Sequence, residues 1–248
     1  VAALIIVMAV MNGFRKDLFG KILGLNGHVI IHKIGEPFTD YADIAGKLKA
    51  VEGVKGVLPL IEGQVMVSSA VNAAGALVRG ITEDGMRSLP LVSNNIQFGS
   101  ISGFDKQSGI AVGSRLASSL RVTMGDQITI ITPRGASTPF GTAPRTKQYT
   151  IAAIFELGMS EYDRTMIFMP LPEAQKFFAK LEEVDVLEVV VDDPERAAHY
   201  AGVLRAAGGS TIQAYAGICG VDDPQLVGAG PTGAPDPYFH SVSFDGIV

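Results

Sequence analysis

The first eleven residues, VAALIIVMAVM (Val1–Met11), are apolar without a break and run on into NGFRKDLFGKILGLNGHV. As a helix this run rises about 16 Å, about half the ~30 Å hydrocarbon core of a bilayer. Beyond it Phe14, Leu18, Ile22 and Leu25 fall at i, i+4, i+8 and i+11, so one apolar stripe continues while Arg15, Lys16, Asp17 and Lys21 take the other faces. The pattern predicts the closing half of a membrane-spanning helix that leaves the bilayer as a stalk over residues 1–26, with an extramembrane domain beyond. Two other structures contain such runs. A signal-peptide core is followed by small residues, whereas Met-Asn-Gly-Phe-Arg-Lys stands here, and a helix buried in a soluble domain is rarely apolar on every face. Arg15, Lys16 and Lys21 alone lean this flank toward the cytoplasmic side.

A length of 248 residues accommodates one large domain or two small ones. The net charge of −5, with signs interspersed, leaves no basic stripe to neutralise phosphates, and the reading is no nucleic acid as partner. Cys219 is the only cysteine, so no internal disulfide and no cysteine-based metal site are expected. Of the four histidines (His28, His32, His199, His240), His28 and His32 are four apart in the β-rich segment GHVIIHKI. That spacing puts both on one strand face, and solvent-facing histidines are expected there rather than a metal site.

The middle of the chain alternates strands and helices. GHVIIHKI reads as a strand, and Asp40 stands as the cap of a helix in DYADIAGKLKAVEG. VKGVLPLI, GQVMVSSAV and AGALVRGI read as strands with turn residues between. IAVGSRLASSLRV holds a strand end and a short helix; QITIITP, TKQYTIAAIF and RTMIFMP are strands. LPEAQKFFAKLEE is a helix with proline near its first turn, VDVLEVVVDD a strand, and PERAAHYAGVLRAAGG a helix begun by Pro194 and ended by Gly208. This is an α+β layout, a domain over 27–207 in which a βαβ-containing subdomain carries a β-rich inserted subdomain at about 67–160.

Pro133–Arg145 (PRGASTPFGTAPR) lies between two of these strands and holds three prolines and no apolar run. Strand, long loop, strand makes a β-hairpin with an extended tip. Proline stiffens it, and Phe140, flanked by Pro139 and Gly141, suits an exposed anchor. From the residues alone, an ordinary surface hairpin is favoured over a docking arm.

Taken together and in order, MNGFRKDLFGKILGLNGHV, VGSRLASSLRVTMGDQITI and FELGMSEYDRTMIFMP resemble the LolC/LolE permease subunits of the lipoprotein-releasing ABC transporter, over residues 1 to about 207. L-A-x-x-L-x-V-x-x-G-D is shared with the wider MacB-like permeases. N-G-F-R and G-M-x-E-Y-D (Gly158, Met159, Glu161, Tyr162, Asp163) belong to the lipoprotein branch. The resemblance implies a MacB-like periplasmic domain on an inner-membrane protein, partnered by an ATP-binding-cassette ATPase subunit, a second permease subunit in a homo- or heterodimer, lipoprotein substrates and the periplasmic carrier LolA. It further implies that Thr138, Pro139, Phe140, Gly141 and Pro144 match the T-P-x-G-x-x-P hook that holds LolA, with Arg145 and Lys147 where the family places basic residues of a supporting pad against the carrier, so that all seven are carrier-binding. Lys147 stands where arginine is usual, and an ammonium does not make the two-pronged contact of a guanidinium. Other MacB-like permeases, in export or division signalling, and a membrane-tethered sensor or binding module are the alternative readings.

Catalysis is not expected, and neither is a cofactor. G-x-x-x-x-G-K-[ST] is absent from the sequence, so ATP hydrolysis falls to a separate subunit. The one G-x-G-x-x-G, Gly228–Gly233, contains Pro231 and lacks a clear strand before it and a helix after it. The carboxylate pairs Glu161/Asp163 and Glu182/Glu183 read as solvated turn and helix-end charges. After Arg205 there is no further lysine or arginine, and glycine, proline and aspartate accumulate. Residues 208–248 therefore read as an atypical tail, frameshifted or disordered, in which Cys219 and His240 carry no function.

Overall fold

Fifteen consecutive residues, Val54–Ser68, form a single strand that serves two sheets. The computed structural model describes residues 24–106, 108–138, 141–209 and 211–217 together with Met8, and for 133–138 and 141–142 it describes the backbone. Apart from Met8 and Gly24–Asn26, the expected span and stalk over 1–26 lies outside the described residues, as do Cys219, the Gly228–Gly233 motif and His240. Among those described, no helix is long and apolar enough to cross a membrane.

The chain opens with β1 (Val29–Lys33), α1 (Tyr41–Lys49) and the long strand, β2 (Val54–Ser68). Its hairpin partner β3 (Ala73–Ile81) leads through α2 (Glu83–Arg87) and α3 (Pro90–Ser93) to β4 (Ile96–Gly99). β5 (Gly109–Gly113), α4 (Ser114–Leu120), β6 (Gln127–Thr138) and β7 (Gly141–Phe155) follow, then α5 (Ser160–Thr165), β8 (Met166–Pro170) and α6 (Leu171–Phe178). β9 (Val186–Val191), α7 (Ala197–Gly208) and β10 (Ile212–Ala216) complete the fold.

The first subdomain is an antiparallel sheet in the order β10–β1–β9–β2, with α1 and α7 packed on it. β9 lies between β1 and β2, and β1 between β9 and β10, so two β-α-β units interlock. Ile44 and Leu48 of α1 and Leu204 of α7 bury against Ile31, Val57 and Val189, each worth roughly 1.5–3 kcal/mol when fully buried. The second subdomain is inserted between β2 and β9. Its pairings β2–β3, β3–β8, β8–β5, β5–β7, β7–β6 and β6–β2 close a ring of strands. In β8 Ile167 and Met169 join one core while Met166 and Phe168 join the other, beneath Met86, Leu89 and Phe104. Burial on both faces is what makes MIFMP continuously apolar rather than alternating.

Several expectations change. VKGVLPLI and GQVMVS are one strand without a turn: Pro59 sits where β2 pairs with β9 alone, a tolerated place for a missing N–H, and Gly63 is a packing notch. Pro133–Arg145 is not a long loop, because β6 and β7 remain paired to Thr138 and Gly141. Asp40 occupies the cap position of α1 but caps nothing. Its carboxylate accepts from Lys33 Nζ at 2.7 Å, which holds it below its ordinary pKa. His28 is buried, not solvent-facing, and its Nδ1 accepts the Val191 N–H at 3.1 Å. Asp163 is also buried, and its Oδ1 accepts the Leu157 N–H at 2.7 Å. The G-M-x-E-Y-D residues thus form a tight turn, with Gly158 at φ 72° leading into α5. The sheet itself runs past residue 208: β10 pairs along the whole of β1.

Candidate functional site

The hairpin β6–β7 departs from the ring as a two-stranded ribbon. Pairing is regular from Gln127↔Thr150 to Thr132↔Arg145, shifts, and resumes at Ala136↔Ala143, Ser137↔Thr142 and Thr138↔Gly141. The shift sets residues 133–135 against residue 144 alone, so Pro133 and Pro144 both sit at the irregularity, where their lack of an N–H breaks no ladder. Thr138 and Gly141 are the last described pair; Pro139 and Phe140 between them lie outside the described residues. Pro144 is exposed at the ribbon's base.

Strand alternation places Arg145, Lys147 and Tyr149 on one face. That face is turned to α6. Arg145 Nη1 donates to the Phe177 carbonyl at 2.7 Å, satisfying an end-of-helix acceptor and complementing the helix dipole. Lys147 Nζ pairs with Glu173 Oε2 at 2.7 Å, and Lys176 meets the other carboxylate oxygen at 3.1 Å. The Lys147 hydrogen bond, against the opposing effect of burial, holds Glu173 below its ordinary pKa. Lys147 also lies 5.0 Å from the centre of the Tyr149 ring, which meets Phe177 edge-on at 6.0 Å. Two glycines seat the helix: a Cβ on Gly63 would overlap the Phe178 ring, and one on Gly80 the Ala174 methyl. The two predicted pad residues are therefore brought together as the foot of the ribbon, held to a helix that sequence reasoning left unconnected to the site.

The arrangement presents a two-stranded arm fastened at its foot to α6. No cluster suited to a metal occurs among the described residues. Clefts of about 280 and 670 Å³ are lined by other residues, the first around His28, Lys55 and Asp192, the second around Arg115, Glu156 and Arg164.

The profile of the MacB-like periplasmic core domain matches residues 1–207. The chain belongs to that family. Among curated proteins it is 30% identical over 201 residues to the lipoprotein-releasing system transmembrane protein LolC of Neisseria meningitidis serogroup B, covering 79% of this chain and 48% of that protein. The LolE protein of Haemophilus influenzae is 25% identical over 199 residues, covering 78% and 48%. Within the MacB-like family the chain thus groups with LolC and LolE, and it spans about half the length of these relatives. Two solved structures share the fold. The extracellular domain of the noncanonic ABC-type transporter YknZ from Gram-positive bacteria aligns with TM-score 0.50 at 13% identity, over 75% of this chain and 98% of that one. The periplasmic region of MacB from Actinobacillus actinomycetemcomitans aligns with TM-score 0.50 at 11% identity, over 79% and 91%.

A second feature of this MacB-like domain also escaped the sequence reading. Arg79 and Glu188 are single charges in the apolar strands AAGALVRGI and VLEVVV, and they meet in the interior at 3.2 Å. A lone charge of each sign in two otherwise apolar strands is the signal that would have found them.

Proposed function

We propose that the chain is the MacB-like domain, with the end of the preceding membrane helix, of a LolC/LolE-type permease subunit in an inner-membrane ABC transporter. The main domain faces the periplasm, and the transporter releases lipoproteins from the membrane to the carrier LolA. Thr138, Pro139, Phe140, Gly141 and Pro144 form the hook that engages the carrier, and Arg145 and Lys147 form its foot. The supporting observation is the ribbon itself. It is stiffened by backbone pairing up to Thr138 and Gly141 and fastened to α6 by two charged hydrogen bonds, so little conformational entropy remains to be lost on docking. Each buried lipid CH₂ is worth about 0.8 kcal/mol, so extraction needs an energy source. ATP hydrolysis on a separate subunit supplies it, and this chain contributes docking and transmission as half of a permease dimer.

The test is binding of purified LolA to the chain and to a Pro139→Gly/Phe140→Ala variant. Saturable binding that the variant loses is expected. If the parent binds no LolA while the variant and parent are equally folded, the carrier assignment falls and another MacB-like transport role replaces it.

A further inference from the structure

The backbone at Leu25–Gly27, where the segment leading in from residues 1–23 joins the domain, is fastened by a buried charged cluster. Arg79 Nη1 donates to the Leu25 carbonyl at 3.1 Å and Nη2 to Asn26 Oδ1 at 3.1 Å. The same guanidinium bonds Glu62 of β2 at 2.7 Å and Glu188 of β9 at 3.2 Å. Glu188 closes the circuit by accepting the Gly27 N–H at 2.9 Å. Gly27 is required by this closeness: a Cβ there would stand 2.5 Å from that of Glu188. Burial opposes the charge on Arg79, but the two glutamates outweigh it and hold the guanidinium protonated. Its planar fork reaches four partners on three chain segments, which an ammonium does not do. The other end of the fold is tied to the same place, since Gly217 N–H donates to the His28 carbonyl at 2.7 Å.

From this cluster the connection to the ribbon runs through the β3 backbone, since Arg79 and Gly80 are consecutive and face opposite sides of the sheet. Gly80, next to Arg79 on β3, is the seat of Ala174, and α6 in turn holds Lys147 through Glu173 and Arg145 through the Phe177 carbonyl. We infer that Arg79 is a positioning residue: it locks the Leu25–Gly27 segment to β2, β3 and β9, so that displacement of that segment is passed through α6 to the foot of the β6–β7 ribbon. This inference rests on the transport reading above, and its experiment separates the two.

Asn26→Ala, Arg79→Lys and Arg79→Met/Glu188→Gln are introduced into the complete permease, assembled with its ATPase subunit and lipoprotein in liposomes with LolA added. Amide exchange at Gly27 reads the lock directly, and lipoprotein released per ATP hydrolysed reads the transmission. At least about a tenfold rise in exchange at Gly27 is expected, with β5 and β8 amides unchanged. Release per ATP is expected to fall several-fold while LolA binding and ATP hydrolysis persist. A merely structural role would lower all readouts together with the folded fraction. Asn26→Ala removes the part-buried Asn26 contacts with Arg79 and with the Tyr162 hydroxyl but leaves both glutamates paired with Arg79, so it remains informative if the Arg79 variants do not fold. Unchanged exchange at Gly27 overturns the lock, and raised exchange with unchanged release per ATP overturns the transmission. A parent assembly that releases no lipoprotein overturns the transport reading and the transmission with it, while exchange at Gly27 still decides the lock.

Discussion

Replacing Gly80 with alanine tests whether α6 is seated as tightly as the site requires. The new Cβ would lie closer than 3.0 Å to the Ala174 methyl and 3.4 Å from Ile61 Cβ on its other side. Carbon atoms settle at about 3.5–4.0 Å, and Ala174 has no rotamer by which to yield, so the helix must withdraw by on the order of 1 Å. Overpacking of this kind costs about 1–3 kcal/mol. Lower chain entropy in the unfolded state returns about 0.4–1 kcal/mol, because Gly80 does not have positive φ and alanine fits its backbone. Withdrawal also stretches the Lys147–Glu173 and Arg145–Phe177 bonds, each 2.7 Å, whose part-exposed positions limit their share. The expected net loss is about 1–2 kcal/mol in urea unfolding, with an unchanged m-value. Gly75→Ala, on the same strand with nothing within 4 Å of the new methyl, is the control and should be neutral or slightly stabilising. Ala174→Gly in the Gly80→Ala background restores the missing space, and the double-mutant cycle should return a coupling of about 1 kcal/mol or more. Gly80→Ala as stable as the parent, or a cycle with no coupling, would refute the close seating of α6.

Two further outcomes follow from the same region. Tyr149 Oη is buried without a hydrogen-bond partner among the described residues, and burial holds the phenol protonated well above its ordinary pKa. Tyr149→Phe should therefore raise stability, by up to about 1 kcal/mol in denaturant titration, and a loss would show that the hydroxyl is bonded. Glu173 has a lowered native pKa, so its contribution is complete above the ordinary carboxylate value and disappears as pH falls through the native one. Unfolding free energy measured from neutral to acid pH should then fall less steeply for Glu173→Gln than for the parent below about pH 4.5. Parallel curves would mean that the Lys147 pair is not formed in solution.

Much of the fold was legible because local chemistry repeats with the period of the element. GQVMVS alternates, and Val65 and Val67 face the core while Gln64 and Met66 face out. MIFMP and GIAVG are continuously apolar, and both strands are buried on both faces. Glycine and proline misled the reading in two places. In Pro133–Arg145 they suggested a loop, but a register shift admits proline where a regular ladder would not. In β2, Gly63 suggested a turn, although it is there to admit the Phe178 ring.

By itself the sequence determined the element types, the α+β class and the family membership, since these rest on periodicity and on short motifs whose residues are neighbours in the chain. It also marked the hook motif, although the role assigned to those residues remains a proposal. Tertiary structure alone decided which way the polar residues face and what they meet. His28 and Asp163 became buried acceptors because backbone N–H groups arrived beside them from Val191 and Leu157. Arg145 and Lys147 became the foot of a ribbon because α6, more than twenty residues later, is seated on Gly63 and Gly80. Arg79 gathered Leu25, Asn26, Glu62 and Glu188 from separate segments. A buried charge is tolerated only where partners converge on it, and that convergence is set by how the strands cross, not by any stretch of sequence.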